Sequence, residues 1–448
     1  MRALRPFVVV VLVLLAACGS DSKGTKGRNA STAPAAQDTS LGTGVTDTTV
    51  KIGVSLITFD CIKQFTDTIR TNQESYFKAF ADDINKHGGI AGRQVQLVIH
   101  SFCPITSGQA FAACTAFTED DKVFAVIGLI FDPSGGAQTC VAKQHKTPML
   151  TYLVSQAIID KAPPGLMILA GATQERTDSV IVKLLKEQTT LAGKKVAVLA
   201  GSANKKAVET ALVPGLKTLG IPMGTTALLN IGTTGDTASA QTQLDGFIER
   251  WKSEGVNAVF ATGDEAVSKQ FIEKLRQQMP TVTLLSDTYT VLLAAQEEKQ
   301  AKKVPNPYEG IINTFGPTPQ EYEQSENWKY CADVYKAQTG KEATGPTKVV
   351  KSGSNTLDVY RSINDPCTLL TLLKTIGDKA GKYLNITNWV NAVDNLGPFR
   401  APGQGQYASL HKGKYDMDDT FRLAAFDSSI GTSGDYKPLS PLGNFPGP

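Results

Sequence analysis

The sequence has few of the residues that metal sites and enzymes use. Its four histidines are scattered, and none lies near cysteine, aspartate or glutamate at the spacing of a metal site. The nucleophile elbow G-x-S-x-G and the Walker A phosphate loop are both missing from the sequence. The sequence therefore predicts no metal site, no cofactor and no catalytic centre. The histidines are His87, His100, His145 and His411.

Charge is low and nearly balanced, which excludes a basic surface for nucleic acid. The formal charge of the 448 residues is +3, and removal of Arg2 and Arg5 with the leader described below leaves 3 minus 2, or +1. Beyond that leader, the sequence has no apolar run of about 20 residues, the length that a membrane-spanning helix needs. The chain is long enough for two domains of roughly 100–200 residues each.

The first residues have the pattern of a secretory leader. A basic start is followed by an apolar run from Pro6 to Leu15, which is too short to span a membrane. Leu15-Ala-Ala-Cys18 resembles a bacterial lipobox, which implies that residues 1–17 are a signal peptide and that Cys18 becomes lipidated. The alternative is an ordinary secretory signal. Residues 18–46 are rich in small and polar residues and predict a flexible tether to the outer face of the cytoplasmic membrane.

Six further cysteines predict disulfides, because an even number outside the cytoplasm favours pairing. Cys61 and Cys103 follow the first and second predicted strands, which should be neighbours in the sheet. Cys114 and Cys140 lie on predicted helices that right-handed crossovers place on one face of the sheet. We predict the pairs Cys61–Cys103, Cys114–Cys140 and Cys331–Cys367.

The chain is organised around residues 77–98. Phe77, Phe80 and Ile84 recur at steps of three and four and predict an amphipathic helix. Gly88-Gly89 supplies the backbone freedom that ends such a helix, and an alternating strand follows at 95–99. Because residues 50–56 also alternate as a strand, the whole predicts a strand, helix, strand crossover of a parallel sheet.

Asp83-Ile-Asn-Lys-His-Gly-Gly-Ile-Ala-Gly-Arg93 resembles the INxxGGIxGR segment of the branched-chain amino-acid binding proteins. These are type I periplasmic binding proteins, which deliver solutes to ABC importers. The resemblance extends to the order of elements in nearly all of the mature chain. It implies a monomer that closes two lobes on a small solute, has permease subunits as partners and is not an enzyme.

Strand and helix patterns alternate in two rounds that are separated near Ala170-Gly171. This rhythm predicts an α/β fold with two doubly wound parallel-sheet lobes. The resemblance implies a three-strand hinge, with chain crossings near 169–173, 312–317 and 396–403. We expect residues 407–410 and 421–426 to form a strand pair on the second lobe. The expected segments are 47–170 and 314–397 for the first lobe, 171–313 and 398–437 for the second lobe, and 438–448 for a C-terminal tail.

Candidate ligand-binding residues of the first lobe follow predicted strands, because ligands of parallel sheets sit beyond the carboxyl ends of the strands. Asp132, Ser134 and Gly135 offer a hydroxyl and a small residue at a helix start. The alternative is that Ser134 is a plain helix N-cap. The loop that ends in Leu153 and Ser155 occupies the place of the family's TPxxT loop. The resemblance implies a backbone contact from Leu153 and a hydroxyl from Ser155.

On the second lobe the candidates are Asp264, Asp287 and Tyr289. In the amino-acid binding relatives an acidic residue near the position of Asp287 pairs with the ligand's ammonium group, so Asp287 is the first choice and Asp264 the second. An acid in a closed cleft selects cationic groups. Residues 200–206 depart from the family by lacking its tyrosine-glycine pair, which leaves amino acids, amides, short peptides and small aromatic acids all open.

The leading hypothesis is a lipid-anchored solute-binding protein of an ABC importer that takes an amino acid or a related compound. A second hypothesis is a sensory receptor, in which the same fold reports a ligand without transport. The third is an envelope enzyme, whose expected signature of a nucleophile with a base, or of a metal cluster, is missing from the sequence.

Overall fold

The computed structural model describes residues 38–63, 68–106, 108–130, 132, 134–230, 237–263, 266–288, 290–353, 355–403 and 405–447. The expected signal peptide, Cys18, most of the tether, Asp264 and Tyr289 lie outside the described residues. Within these ranges, no helix is both long enough and apolar enough to cross a membrane.

Strands and helices alternate along most of the described chain. The strands are β1 Thr49–Ile57, β2 Thr68–Ile69, β3 Gln94–Phe102, β4 Ala125–Gly128, β5 Met149–Thr151, β6 Met167–Leu169, β7 Val196–Gly201, β8 Ala227–Leu229, β9 Ala258–Thr262, β10 Thr283–Ser286, β11 Ile312–Phe315, β12 Val350–Ser352, β13 Asn355–Leu357, β14 Gly397–Phe399, β15 Ala408–Leu410, β16 Thr420–Asp427, β17 Asp435–Pro438 and β18 Gly443–Asn444. The α-helices are α1 Gln73–Lys86, α2 Gln109–Thr115, α3 Gly136–Thr139, α4 Gln156–Ile159, α5 Gln174–Glu187, α6 Lys205–Ala207, α7 Val213–Thr218, α8 Thr237–Glu254, α9 Lys269–Gln278, α10 Thr290–Gln300, α11 Pro319–Glu323, α12 Glu326–Thr339, α13 Val359–Ala380 and α14 Ile386–Asp394. Short 3₁₀ or π-helical turns lie at Phe59–Cys61, Ala116–Asp120, Cys140–Gln144, Ser202–Asn204 and Val208–Leu212.

The first sheet has the strand order β3-β1-β4-β5-β6, with parallel pairing throughout. Helix α1 packs on it through the predicted apolar stripe, and Phe77, Phe80 and Ile84 are all buried. Gly89 has a positive φ, and a Cβ there would lie 1.8 Å from the carbonyl oxygen of Arg93. The turn between α1 and β3 therefore requires glycine at this position.

The second sheet has the order β17-β16-β11-β10-β9-β7-β8, and β18 pairs with β16. Strands β7 to β11 run parallel, whereas β16 runs antiparallel to β11 and β17. One face packs on apolar residues of α5 and α7, and the other on those of α8, α9 and α10. This arrangement is a doubly wound lobe, so the α/β fold with two parallel-sheet lobes is confirmed.

Helices late in the sequence return the chain to the first lobe. Trp328 on α12, Leu373 on α13 and Trp389 on α14 belong to the same buried cluster as Ile52 of β1 and Phe80 of α1. The first lobe is therefore assembled from segments that are far apart in the sequence.

The first two crossings between the lobes lie where the resemblance implies them. Residues 170–173 separate β6 of the first sheet from α5 of the second lobe, and residues 316–318 separate β11 of the second sheet from α11. Tyr322 of α11 already packs in the first-lobe core.

The third crossing lies later than the expected range of 396–403. Strand β15 pairs with β14 and not with β16, and its residues Ala408 and Leu410 are buried in the first-lobe core with Met417. Phe421 is buried in a second-lobe core. The chain therefore changes lobe between Asp416 and Thr420, and residues 407–410 do not form the expected strand pair with 421–426.

Residues 438–447, which we expected to form a C-terminal tail, contact the second lobe. Strand β18 pairs with β16, and the backbone N–H of Phe445 donates to the carbonyl oxygen of Asp419 at 2.8 Å. The ammonium of Lys183 lies 5.0 Å from the centre of the Phe445 ring. The end of the chain thus packs on the second lobe beside the third crossing.

The structure joins the cysteines in the three predicted pairs. Cys61–Cys103 links residues that follow β1 and β3, Cys114–Cys140 links residues on neighbouring helical segments, and Cys331–Cys367 links α12 to α13. Because α12 and α13 both return to the first lobe, the last pair ties that second part of the lobe together.

We predict that replacing both Cys331 and Cys367 by alanine lowers the free energy of unfolding by about 3–4 kcal/mol, because a closed loop in the unfolded chain is released. The two residues are 36 apart in sequence. Urea denaturation of the variant and of the wild type measures the loss. A peptide map under non-reducing conditions that joins Cys331 to another cysteine would contradict the pairing.

Candidate functional site

A cavity of about 480 Å³ lies between the two sheets. The first lobe contributes Tyr152 and Leu153, which follow β5, and residues on α13. The second lobe contributes Asp287, which follows β10, and residues of β11 and β16. All three crossings also line it, through Gly171, Pro317 and Asp418 among others. A solute in this cavity contacts both lobes and the segments that connect them.

Two arginines lie in the first-lobe wall of the cavity. The guanidinium of Arg70 donates to Asp365 and lies 3.7 Å from Asp358. The guanidinium of Arg361 lies 3.8 Å from the same Asp358 carboxylate. Burial raises the pKa of Asp365, and the two arginines oppose that rise. The two arginines and the two aspartates balance the charge of this wall. The guanidinium groups can donate hydrogen bonds to an anionic group of a ligand.

Tyrosine rings form the apolar part of the same wall. Tyr152 donates to the carbonyl oxygen of Asp365 at 3.1 Å, and Tyr322 donates to that of Pro402 at 2.6 Å. The ring of Tyr360 packs against Tyr322 with centroids 5.9 Å apart. Burial raises the pKa of Tyr152 well above its usual value, so its hydroxyl stays protonated. The wall therefore presents rigid rings to a ligand.

In the second-lobe wall, Asp287 is held by neutral donors. Its Oδ2 accepts from Gln174 Nε2 and from Thr262 Oγ1, both at 2.5 Å, and its Oδ1 accepts from the backbone N–H of Gly263 at 3.2 Å. The buried Asp178 carboxyl lies beside it, because its Oδ1 accepts from the same Gln174 Nε2 at 3.0 Å. Burial raises the pKa of both acids. Asp287 is thus a fixed acceptor at the cavity surface.

Of the residues predicted for binding, Leu153 and Asp287 line the cavity. Asp132, Ser134, Gly135 and Ser155 are not among the lining residues. Asp132 instead binds the start of α3, accepting from Ala137 N–H at 2.7 Å and from the Ser134 hydroxyl at 2.7 Å. Burial raises the pKa of Asp132, but these hydrogen bonds lower it by more, so that the pKa lies below its usual value. Asp264 and Tyr289 lie outside the described residues.

The sequence interpretation missed the α13 contribution. Tyr360, Arg361, Asn364 and Asp365 all line the cavity and recur at spacings of one, three and four on one helix. A polar and aromatic face on an otherwise apolar helix was the signal that could have identified them. Arg70 was also missed, because its partners Asp358 and Asp365 are nearly three hundred residues away in the sequence.

Cysteine and histidine come together at one place in the described chain. The ligand atoms of Cys114, Cys140 and His145 lie within 4.8 Å of one another. Because the structure joins both sulfur atoms in a disulfide, they are not thiolates and cannot serve as metal ligands in this form.

A family model described as periplasmic binding protein matches residues 67–362. Among solved structures, an ABC-transporter solute-binding protein of Rhodopseudomonas palustris BisB5 in complex with 3,4-dihydroxybenzoic acid is 14% identical with a TM-score of 0.62, over 89% of this chain and 98% of that chain. The leucine-binding protein LivK of Thermotoga maritima MSB8 is 15% identical with a TM-score of 0.59, over 87% and 97%. A fatty acid ABC transporter substrate-binding protein of Thermomonospora curvata is 12% identical with a TM-score of 0.61, over 91% and 95%. No curated protein matches the chain.

We predict that Arg70→Met destabilises the protein by about 3–5 kcal/mol at pH 8, because it leaves the buried Asp365 carboxylate without its closest cation. The loss should be smaller at pH 5. A carboxyl whose folded-state pKa lies above its unfolded value gains stability by protonation, and this gain disappears as the pH rises. Urea denaturation at both pH values measures the effect.

The double variant Arg70→Met, Asp365→Asn is the control, and it should recover most of the loss at pH 8 because the unpaired charge is gone. An equal loss at pH 5 and pH 8 in the single variant would show that Arg70 acts through packing and not through its charge.

Proposed function

The chain belongs to the periplasmic binding protein family, a model of which matches residues 67–362, and we propose that it is the extracytoplasmic solute-binding protein of an ABC importer. It is a binding protein and not an enzyme. In this proposal a small solute enters the cavity between the lobes, the hinge closes, and the solute passes to membrane permease subunits. Closure follows binding only if the solute makes better contacts in the closed state.

The observation that carries the proposal is the cavity at the three crossings. Its two walls carry different chemistry, with Arg70 and Arg361 on the first lobe and Asp287 on the second. A solute that contacts both walls links the lobes, and the crossings are the segments that must bend when the lobes approach each other. This placement supports capture by hinge closure.

The first candidate ligand is an amino acid, including the branched-chain amino acids, or a related compound. Its carboxylate fits the guanidinium groups of Arg70 and Arg361, and its ammonium group fits Asp287. The fold likeness to the leucine-binding protein LivK agrees with this class. A buried carboxylate without a partner is costly, so Asp287 favours a solute with a cationic group.

The second candidate ligand is a small aromatic acid. The rings of Tyr152, Tyr360 and Phe315 line the cavity beside the arginines and offer a stacking surface for a ring with a carboxylate. Solved structures that share the fold contain 3,4-dihydroxybenzoic acid and 4-hydroxybenzoate. The phenolic hydroxyl of such a ligand would donate to Asp287, in the position that the ammonium group of an amino acid would take.

We further propose that Cys18 is lipidated and holds the protein on the outer face of the cytoplasmic membrane. The described chain begins at Asp38 and is fixed to the first lobe from there. Asn385 Nδ2 donates to the carbonyl oxygens of Asp38 at 3.2 Å and Ser40 at 2.8 Å. A soluble form for binding studies should therefore start no later than Asp38.

We predict that leucine, isoleucine or valine raises the melting temperature of the form that starts at Asp38. A ligand at a hundred times its dissociation constant adds about 2.7 kcal/mol to the free energy of unfolding. Asp287→Asn should weaken amino-acid binding by about 2–5 kcal/mol, because the partner of the ammonium group is lost. Calorimetric titration measures the affinity, and X-ray scattering measures closure.

Asp47→Asn, at an exposed position, is the matched control and should bind like the wild type. If 4-hydroxybenzoate raises the melting temperature and no amino acid does, the ligand is assigned to the small aromatic acids. No shift with either class would refute both ligand candidates.

We predict that Cys18→Ser abolishes lipid labelling when the full chain is expressed in a bacterium that processes lipoproteins. The variant should leave the membrane fraction, since the acyl chains are its anchor. Labelling with a radioactive fatty acid and fractionation of the cells provide the measurements. A Cys18→Ser protein that remains membrane-bound would refute the lipid anchor.

A further inference from the structure

Asp178 is a fully buried acid directly behind the second-lobe wall of the cavity. It lies on α5, one turn after Gln174, whose Nε2 donates to Asp178 Oδ1 at 3.0 Å. Its other oxygen, Oδ2, is buried and has no hydrogen-bond donor among the described residues. The same Gln174 nitrogen donates to Asp287 Oδ2 at 2.5 Å, so the Asp178 carboxyl lies close to that of Asp287, which reaches the cavity. Two acids that share one donor, one of them with an unsatisfied buried oxygen, require an explanation.

The donors that the described residues offer to the two acids are all neutral. Gln174, Thr262 and the backbone of Gly263 satisfy Asp287, and Gln174 also satisfies one oxygen of Asp178. Two carboxylates in a poorly solvated place repel each other strongly, and one bound proton removes most of that cost. The pair then titrates as a unit.

The charged groups on the packed elements do not neutralise the pair. On α5 itself, Glu175 is a further acid, and one of its oxygens is buried with no donor in the part of the chain that the structure describes. Arg176 points away, with its Nε 2.7 Å from Asp416 and its Nη1 3.0 Å from Asp419.

The elements packed around α5 supply little positive charge near Asp178 and Asp287. From β11 and β16, the cavity-lining residues Thr314, Phe315, Thr420 and Phe421 are neutral. Asp418, at the third crossing, is another acid that lines the cavity. Arg70 and Arg361 lie in the opposite wall, beside their own carboxylates. Asp264 and Glu265, which follow β9, are outside the described residues.

A proton on Asp178 Oδ2 satisfies this arrangement. A protonated Oδ2 is a hydrogen-bond donor, and the Asp287 carboxylate, which accepts from the same Gln174 nitrogen, is a nearby acceptor. Burial and the neighbouring Asp287 both raise the pKa of Asp178 well above its usual 3.8, which agrees with this assignment. With one proton on the pair, one negative charge remains on the two carboxyl groups.

Building on the solute-binding function proposed above, we propose that Asp178 and Asp287 share one proton and form a single subsite for one cationic or hydrogen-bond-donating group of the solute. Asp287 is the contact residue, and Asp178 is a positioning residue that acts through it. The pair offers the solute one negative charge and not two. This matches one ammonium group.

The shared proton makes the stability of the ligand-free protein depend on pH. Between 3.8, the usual pKa of the carboxyl, and its raised folded-state pKa, the folded protein binds a proton that the unfolded chain has released. Stability therefore falls as the pH rises through this window, by up to tenfold in the folding equilibrium constant per pH unit. Asp178→Asn removes this dependence, because its amide donates to Asp287 without titrating.

The first experiment measures urea denaturation of the ligand-free form from Asp38 onward at pH 5 and pH 8, for the wild type and Asp178→Asn. Burial also raises the pKa of Asp418 and Asp435 to about 6, so only the difference between the two proteins is informative. We expect the folding constant of the variant, relative to the wild type, to rise at least tenfold from pH 5 to pH 8. Asp47→Asn should show no such rise.

If the stability of Asp178→Asn changes with pH as much as that of the wild type, the shared proton is overturned. If Asp178→Asn does not fold, Asp287→Asn serves in its place. Removing the charge of Asp287 lowers the cost of ionising Asp178. The pH dependence of stability should then be weaker than in the wild type, and an unchanged dependence would overturn the proposal.

The second experiment compares leucine with 4-methylpentanoate, which is leucine without its ammonium group. We expect Asp287→Asn to weaken leucine binding at least a hundredfold, with a much smaller effect on 4-methylpentanoate. The pH profile of leucine binding should be flatter in Asp178→Asn than in the wild type. An equal loss for both compounds, or identical profiles, would overturn the subsite. If the wild type binds neither compound, the amino-acid ligand fails, while the stability measurements still decide the shared proton.

Discussion

A buried ion cluster at the crossings holds the two lobes in register. Arg176, at the start of the second lobe, pairs with Asp416 at 2.7 Å and with Asp419 at 3.0 Å. The same Asp416 carboxylate accepts from the backbone N–H of Thr173 at 2.8 Å. The first and third crossings are thereby joined through one guanidinium group. Buried pairs contribute little net stability, but loss of one partner is costly, so the cluster fixes one arrangement of the crossings.

Helix α5 connects this cluster to the cavity. Arg176 points to the crossings, whereas Gln174 and Asp178, one helical turn apart, both face the Asp287 carboxylate. A bend at the first crossing therefore moves the helix that supports the acidic subsite. The first crossing ends at Thr173, five residues before Asp178, the residue proposed to position Asp287, which is a physical basis for linking closure to binding.

The sequence predicts local elements better than distant partners. The crossover of residues 50–98 and the first crossing follow from periodicity and turn chemistry within short segments. The third crossing does not, because the strand pattern of 408–410 shows its two faces but not whether β14 or β16 is its partner. The role of Arg70 could not be predicted from the sequence either, because its partner Asp365 lies on α13, 295 residues away in the sequence. Asp287 could be proposed from its place after a strand, but Asp178 had no signal apart from one acid on an amphipathic helix.

The two walls of the cavity differ in how their charges are compensated. In the first lobe, Arg70 and Arg361 are balanced by Asp358 and Asp365, so this wall carries no net charge from these four groups. In the second lobe, the pair that we propose around Asp287 keeps one negative charge, and its donors among the described residues are neutral. A solute that lacks a donor can occupy the first wall, but closure then buries Asp287 without a counter-charge, which is costly. Since a ligand shifts a conformational equilibrium only by its difference in affinity for the two states, the proposed function makes the second lobe the part that decides which solutes close the cleft.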